Sequence, residues 1–164
     1  MSIGKEIATE AKKKKICKES FNDLNKATDV KTLCEMYFKG DDWTMKNDFP
    51  GLALLEKYKD ESGEFGLHTH FKGTLKNQEN TALLGKSDAQ LEYDNFFVGK
   101  LIVRHTSKAK IRATGNAILY INLLDNAHVD VVADEKARVF INQYGSTSGF
   151  RITGAVDVKE KTWK

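Results

Sequence analysis

The sequence predicts an α+β fold, with a helical N-terminal cap of about three helices over residues 1–62 and a short β-solenoid-like body over 63–164. Three observations predict it. Apolar residues fall at helical spacing up to Glu61-Ser-Gly-Glu-Phe-Gly66 and at alternating spacing after it. From Ala89 to Thr153 one short pattern keeps returning, a small residue followed by apolar residues at every second place. The outward residue of successive copies alternates between charged and apolar. No linker separates the two regions, so they are expected to pack together as one unit.

The 164 residues suit one domain, or one domain with an appendage, and suffice to bury a core without disulfide staples. A hydrophobic share of 40% against 30% charged, with mean hydropathy −0.49, describes an ordinary water-facing surface. No apolar run is long enough for a membrane helix and the N-terminus lacks the apolar core of a secretory signal. The expected location is therefore cytoplasmic or virion-associated, with no membrane contact. A net charge of +3 and pI near 8.7 are milder than nucleic-acid binding usually requires, so nucleic acid is not an expected partner. Cys17 and Cys34 fall in different predicted helices and read as two buried, reduced thiols.

Taken in order, Ile3 to Lys26 has no proline, no glycine after Gly4, and many good helix formers. The second half carries an apolar stripe in Cys17, Phe21 and Leu24. Glu10 and Lys14 interrupt the stripe in the first half, which is expected to be solvated or to await a partner. Thr28-Asp29 supplies an N-cap for a helix through Val30, Leu33, Cys34, Tyr37 and Phe38, closed by Gly40. Asp48-Phe49-Pro50 then signals a further helix start, with Leu52, Leu54, Leu55 and Tyr58 to bury.

Leu67 to Phe71 and Thr81 to Leu84 are short strand candidates. The repeat copies start at Ala89, Gly99, Ala109, Ala117, Ala127 and Ala137, with turn residues such as Gly115-Asn116 and Asp125-Asn126 between them. In a strand, Ala127, Val129 and Val131 share one face and His128 and Asp130 the other. The outward residue is Glu92, Arg112 and Asp130 in copies one, three and five, and Ile102, Tyr120 and Phe140 in copies two, four and six. An antiparallel meander or barrel would mix charged and apolar strands on one outer face. A solenoid of two-strand coils sorts them onto separate faces, with Arg151 continuing the charged series. The Ile102, Tyr120 and Phe140 stripe must then be covered, by the helical cap or by another subunit, and is the candidate interaction surface.

His68-Thr-His70 is the one pair resembling metal ligands, since a strand would project both imidazoles from one face. No third ligand is fixed by the sequence, so neither a metal nor any cofactor is expected. Asp41, Asp42, Asp125, Asp130 and Asp134 read as turn and surface carboxylates, and no phosphate loop, nucleophile elbow or Cys-His pairing is present; no catalytic residue is named and no small-molecule substrate is expected. Lys12 to Lys15, with Glu6, Glu10, Glu19 and Asp23 around it, reads as a solvated helix surface with intrahelical pairs.

Tyr37-Phe-Lys-Gly-Asp-Asp-Trp43, Asn47-Asp-Phe-Pro50 with Leu52 and Leu55, and the Ala-x-Val-x-Val strands together resemble small proteins carried by phages and mobile elements of gut bacteria, which have a helical N-terminus and a repetitive β C-terminal part. The resemblance covers most of the chain and implies a phage-associated origin. It transfers no site residues, since none is established for such proteins. The expected function is a non-enzymatic structural or protein-binding component, a phage virion or accessory protein that works by contact with a protein partner or by self-association. The alternative is a carbohydrate-binding or carbohydrate-processing module on a solenoid face.

Overall fold

Alternating side chains and left-handed corners dictate the C-terminal architecture of the computed structural model, which describes residues 1–163. The chain divides into two compact units, Met1–Phe65 and Gly66–Lys164. The second is a parallel β-solenoid. Its strands are β1 (Leu67–Thr69), β2 (Lys72–Lys76), β3 (Asn80–Leu84), β4 (Asp88–Tyr93), β5 (Val98–Val103), β6 (Lys108–Ala113), β7 (Ile118–Leu123), β8 (His128–Ala133), β9 (Arg138–Tyr144), β10 (Gly149–Gly154) and β11 (Val156–Lys161). Odd-numbered strands stack as sheet 1 in the order β1-β3-β5-β7-β9-β11, and even-numbered strands as sheet 2 in the order β10-β8-β6-β4-β2. Every pairing is parallel. The solenoid expected from the outer-face patterning is the fold, and the meander and barrel alternatives are excluded.

Asp88 pairs with Lys108 and Lys108 with His128, a step of 20 residues per coil. Between strands the chain turns through four residues closed by one i to i+3 hydrogen bond, as from Phe97 N–H to Asp94 O (3.1 Å) and from Ala127 N–H to Leu124 O (3.2 Å). The second residue of each such corner has positive φ: Asn95, His105, Gly115, Asp125 and Glu135. Backbone bonds to the preceding coil continue through these corners. Thr114 N–H reaches Tyr93 O (2.9 Å), Asn116 N–H reaches Asn95 O (2.7 Å) and Ile118 N–H reaches Phe97 O (2.9 Å).

Inward residues form columns whose volumes compensate one another. Tyr93 and Gly99 lie on either side of one corner, and the next coils place Ala113 with Leu119 and then Ala133 with Val139. A Cβ on Gly99 would come within 2.7 Å of the Tyr93 ring. The phenol therefore occupies space that a leucine fills one coil later. Tyr93, Leu119 and Val139 are all essentially inaccessible to solvent.

The first unit holds six helices: α1 (Ile3–Lys13), α2 (Lys18–Lys26), α3 (Val30–Lys39), α4 (Asp41–Asn47), α5 (Leu52–Lys57) and α6 (Lys59–Gly63). Sequence periodicity predicts about three. Left-handed Lys15 splits the first, and Gly40 ends α3 and starts α4 with no loop between them. The Asp29 cap on α3 forms as expected, its carboxylate accepting from Thr32 N–H at 2.8 Å. Glu10 and Lys14 are half-buried and each is engaged. The Glu10 carboxylate accepts from Gly51 N–H (2.6 Å) at the start of α5, and Lys14 Nζ donates to Asn47 O (2.6 Å) at the end of α4. Each charge thus meets the helix end whose dipole favours it. Ile7, Ala8, Ala11, Leu24 and Phe49 form one core cluster of this unit. Cys34 is buried, which pushes its thiol up to about 12, whereas Cys17 is exposed at the start of α2 and hydrogen-bonded to Ser20. The expectation of two buried thiols holds for Cys34 alone; Cys17 sits exposed at the N-cap position of α2 without a side-chain cap bond.

The compensation in the solenoid core yields a thermodynamic cycle. Tyr93→Ala should cost about 3–5 kcal/mol by opening a cavity and Gly99→Leu about 1–3 kcal/mol by overpacking. The double variant rebuilds the Ala113 and Leu119 pairing of the next coil and should recover most of the summed loss in denaturant unfolding. Additive losses would contradict the shared space.

Candidate interaction surface

Outward residues of sheet 1 also stack in columns, and the 20-residue step decides which ones meet. Val98, Ile118 and Arg138 form one column; Lys100, Tyr120, Phe140 and Asp157 the next; Ile102, Asn122, Asn142 and Lys159 the third. Tyr120 and Phe140 stack with ring centroids 5.3 Å apart and planes 16° from parallel. Ile102 is not in line with them. It pairs with Asn122, two residues along the strand from Tyr120, and is only 3% exposed. The predicted stripe of three is thus a pair of aromatics with its third member one column away.

The apolar residues that accompany the pair come instead from the first column and its corner. Val98 is 51% exposed, Tyr120 42% and Phe96 80%. Ile118, half-buried, lies between Val98 and Tyr120 on the same outer face. Exposed Lys100, Arg138 and Asp157 rim the strip. On its other side Asn142 Nδ2 donates to Asn122 Oδ1 at 3.1 Å, an amide ladder parallel to the aromatic one. Aromatic and β-branched cross-strand neighbours stabilise a sheet, yet these are left open to water. The signal that finds Val98 and Ile118 is the register, which a single sequence does not print.

Sheet 2 presents a different outer face. Its columns read Glu92, Arg112, Val132 and Thr153, and beside them Gln90, Lys110, Asp130 and Arg151. The predicted charged residues Glu92, Arg112, Asp130 and Arg151 all face outward but occupy two columns. Arg112 pairs with Asp134 at 3.2 Å and His128 Nε2 lies 3.0 Å from Asp130 Oδ1. A shallow recess of about 280 Å³ lies among Asp88, Gln90, Lys108, Lys110, His128 and Asp130.

His68 and His70 do not form a pair. The strand ends at Thr69, and His70 adopts φ 52° at the corner, where its Nδ1 accepts from Lys86 N–H at 3.0 Å. His68 points inward, 6% exposed, against Phe71 (4.7 Å between ring centroids) and 3.3 Å from Gln78 Oε1. Among the described residues no three His, Cys, Asp or Glu side chains converge to hold a metal. Asp125 pairs with buried Arg104 (3.0 Å) and accepts from His105 N–H (2.9 Å), so its carboxylate serves the corner. The lysine run is divided: Lys12 lies over the Phe21 ring, Lys14 binds Asn47 O and Lys15 makes the break. Glu6, expected to pair within its helix, instead binds Lys57 of α5 at 2.8 Å. No helix among the described residues is long and apolar enough to cross a membrane.

No protein-family model, curated protein or solved structure matches this chain.

Burial holds the His68 pKa below the ordinary value of 6.5. The unfolded chain then takes up this proton before the folded one does, so stability is full above about 6.5 and declines as pH falls through that value. Thermal unfolding should show wild-type protein weakening between pH of about 7.5 and 5, and His68→Gln weakening less over the same range. Equal pH slopes would remove His68 as the cause.

Proposed function

We propose that this chain is a non-enzymatic structural component that works by protein–protein contact through the outer face of sheet 1, in the setting its layout resembles, a phage virion or a phage-encoded accessory protein. One observation carries the reading: exposed Val98 and Tyr120 join Ile118 and Phe140 in a single apolar strip on a stiff parallel sheet, with exposed Phe96 in the corner that leads into it. A contiguous apolar patch with a charged rim is how a monomer exposes an interface. The backbone beneath it is held by ladder bonds on both sides of each strand, so docking there orders little and loses little entropy.

The readout is self-association, the form of contact that purified protein can report. Light scattering over a wide concentration range should give for the wild type an assembly larger than any formed once the sheet 1 face is disabled. Tyr120→Asp combined with Phe140→Asp should weaken it about tenfold or more, with circular dichroism unchanged. A double variant that folds and associates like the wild type would overturn the reading.

A specific feature also supports carbohydrate recognition. The Tyr120 and Phe140 rings offer apolar faces while the adjacent Asn122 and Asn142 amides offer donors and acceptors, the combination a pyranose requires. On this reading a glycan array gives binding that Tyr120→Ala abolishes. An array without signal would leave the protein-contact reading alone.

A further inference from the structure

Among the described residues the coil of β10 and β11 has a neighbour on one side only. β10 pairs only with β8 and β11 only with β9, so both stand at the edge of their sheets. Parity fixes which backbone groups are left over. Gly149 N–H donates back to Ala127 O and Ala155 O accepts from Val139 N–H, both at 3.0 Å. Residues 149, 151 and 153, and 155, 157 and 159, therefore turn their backbone groups toward the preceding coil. The N–H and C=O of Phe150, Ile152, Val156 and Val158 are aimed along the axis, away from it. Their side chains are the ones that point into the core, since Phe150 is in register with Val129, Ile152 with Val131, Val156 with Val139 and Val158 with Ile141. Phe150 and Ile152 are nonetheless 37% and 39% exposed. Trp163 does not cover them, because it stacks on outward-facing Tyr144 with centroids 4.2 Å apart.

We infer that this end face is a self-complementary interface, on which a second copy of the chain docks end to end about a two-fold axis, β11 pairing antiparallel with β11 of the other copy. An axis through Asp157 or Lys159 would set that charge directly opposite its own copy, which leaves Val156, Val158 and Glu160. Centring on Glu160 would set Lys159 against Lys161 and one glutamate against the other. Centring on Val156 pairs little of the strand. Centring on Val158 gives two reciprocal N–H to O=C bonds there and places Asp157 opposite Lys159 twice, in the closely spaced, non-hydrogen-bonded positions. Asp157 and Lys159 are both exposed and outward-facing. Ile152 and Val158 each stand three residues from Ala155, where the chain turns between the sheets, so one axis normal to the sheets can pass through both. On sheet 2 an axis at Ile152 buries that residue against its own copy and sets Arg151 opposite Thr153.

A head-to-tail stack fits less well. It would lay the six residues of β11 on the three of β1, and the Arg151 strand beside Lys72 and Lys76 of β2. It would also propagate without closing, whereas the two-fold arrangement ends at a dimer. Asp157 borders both surfaces, but the end face engages the free edge of β11 whereas the sheet 1 strip engages Tyr120 and Phe140, so this inference stands or falls independently of the proposed function.

The test uses the full chain with Val98→Asp and Tyr120→Asp, on strands that do not pair with β11, so that the sheet 1 face cannot report. Sedimentation velocity should still find a dimer. Asp157→Lys, which sets four lysines together at the axis, should weaken that dimer about tenfold or more, and adding Lys159→Asp should restore it. Circular dichroism identifies any variant that misfolds. Register is read separately, with Cys17→Ser present throughout. Asp157→Cys and Lys159→Cys chains should cross-link on mild oxidation when mixed, because directly opposed positions of this kind stand about 4.5 Å apart, within disulfide reach. Either variant oxidised alone should cross-link far less. A monomer at all concentrations, a dimer indifferent to Asp157→Lys, or equal cross-linking in mixed and single samples would overturn the inference.

Discussion

The solenoid depends on one backbone constraint, a left-handed residue at the second place of each four-residue corner. That conformation lets the chain reverse between sheets while its N–H and C=O groups stay parallel to the axis, so the ladder from coil to coil is not interrupted. An L-residue in that region costs on the order of 1 kcal/mol. The corners offset this through their side chains. His105 Nδ1 accepts from Gly85 N–H and Asp125 Oδ2 from His105 N–H, both at 2.9 Å, so the left-handed residue of one coil caps the corner of the coil before it. Asn77 acts in the opposite direction, its Oδ1 accepting from Asp94 N–H of the following coil at 3.0 Å. Buried Ser87 and Ser107 satisfy the carbonyls beside them, as Ser87 Oγ does for Leu84 O at 2.8 Å.

Because each coil touches only its neighbours, packing must balance locally. A large side chain on one strand has to be answered by a small one on the facing strand of the same or an adjacent coil. Tyr93 against Gly99 is the extreme case, and the coils above it return to aliphatic pairs of intermediate size.

Inside and outside were legible in the sequence because alternation reports parity, and parity survives a slip of two residues. Register was not. Small residues occupy two structurally different places, the first inward position of a strand (Ala89, Gly99, Ala109) and the last residue of a corner (Ala117, Ala127, Ala137). Aligning the copies on them shifts the later ones by two. Faces stay correct while columns do not, which is why Tyr120 was grouped with Ile102 instead of its register partner Lys100. β2 escaped notice for a related reason: in Lys72-Gly-Thr-Leu-Lys76 only Leu75 is apolar, since an edge strand has one neighbour and needs less burial. His68 and His70 were misjudged because the corner begins one residue after Thr69, and no residue type there announces a left-handed turn. Glu10 and Lys14 were legible as breaks in a stripe but not as caps, because their partners lie 41 and 33 residues away.

The two outer faces differ in how much of their composition the fold itself explains. On sheet 2, Lys72 and Lys76 lie beside Asp88 and Glu92, which lie beside Lys108 and Arg112. Sign alternates along the axis, so each charged strand meets its opposite. Such exposed pairs contribute only about 0–1 kcal/mol apiece, but the arrangement avoids the like-charge contacts that a stacked parallel sheet would otherwise force. The lysines and acids there are accounted for by stacking alone. Tyr120, Val98 and Phe96 are not. A polar or charged residue would serve the stack equally well at each of these places, as Lys100 and Arg138 do in the same columns, and would avoid exposing apolar area at about 25 cal/mol per Å². Stability thus explains one face and leaves the aromatic strip of the other to be explained by what it touches.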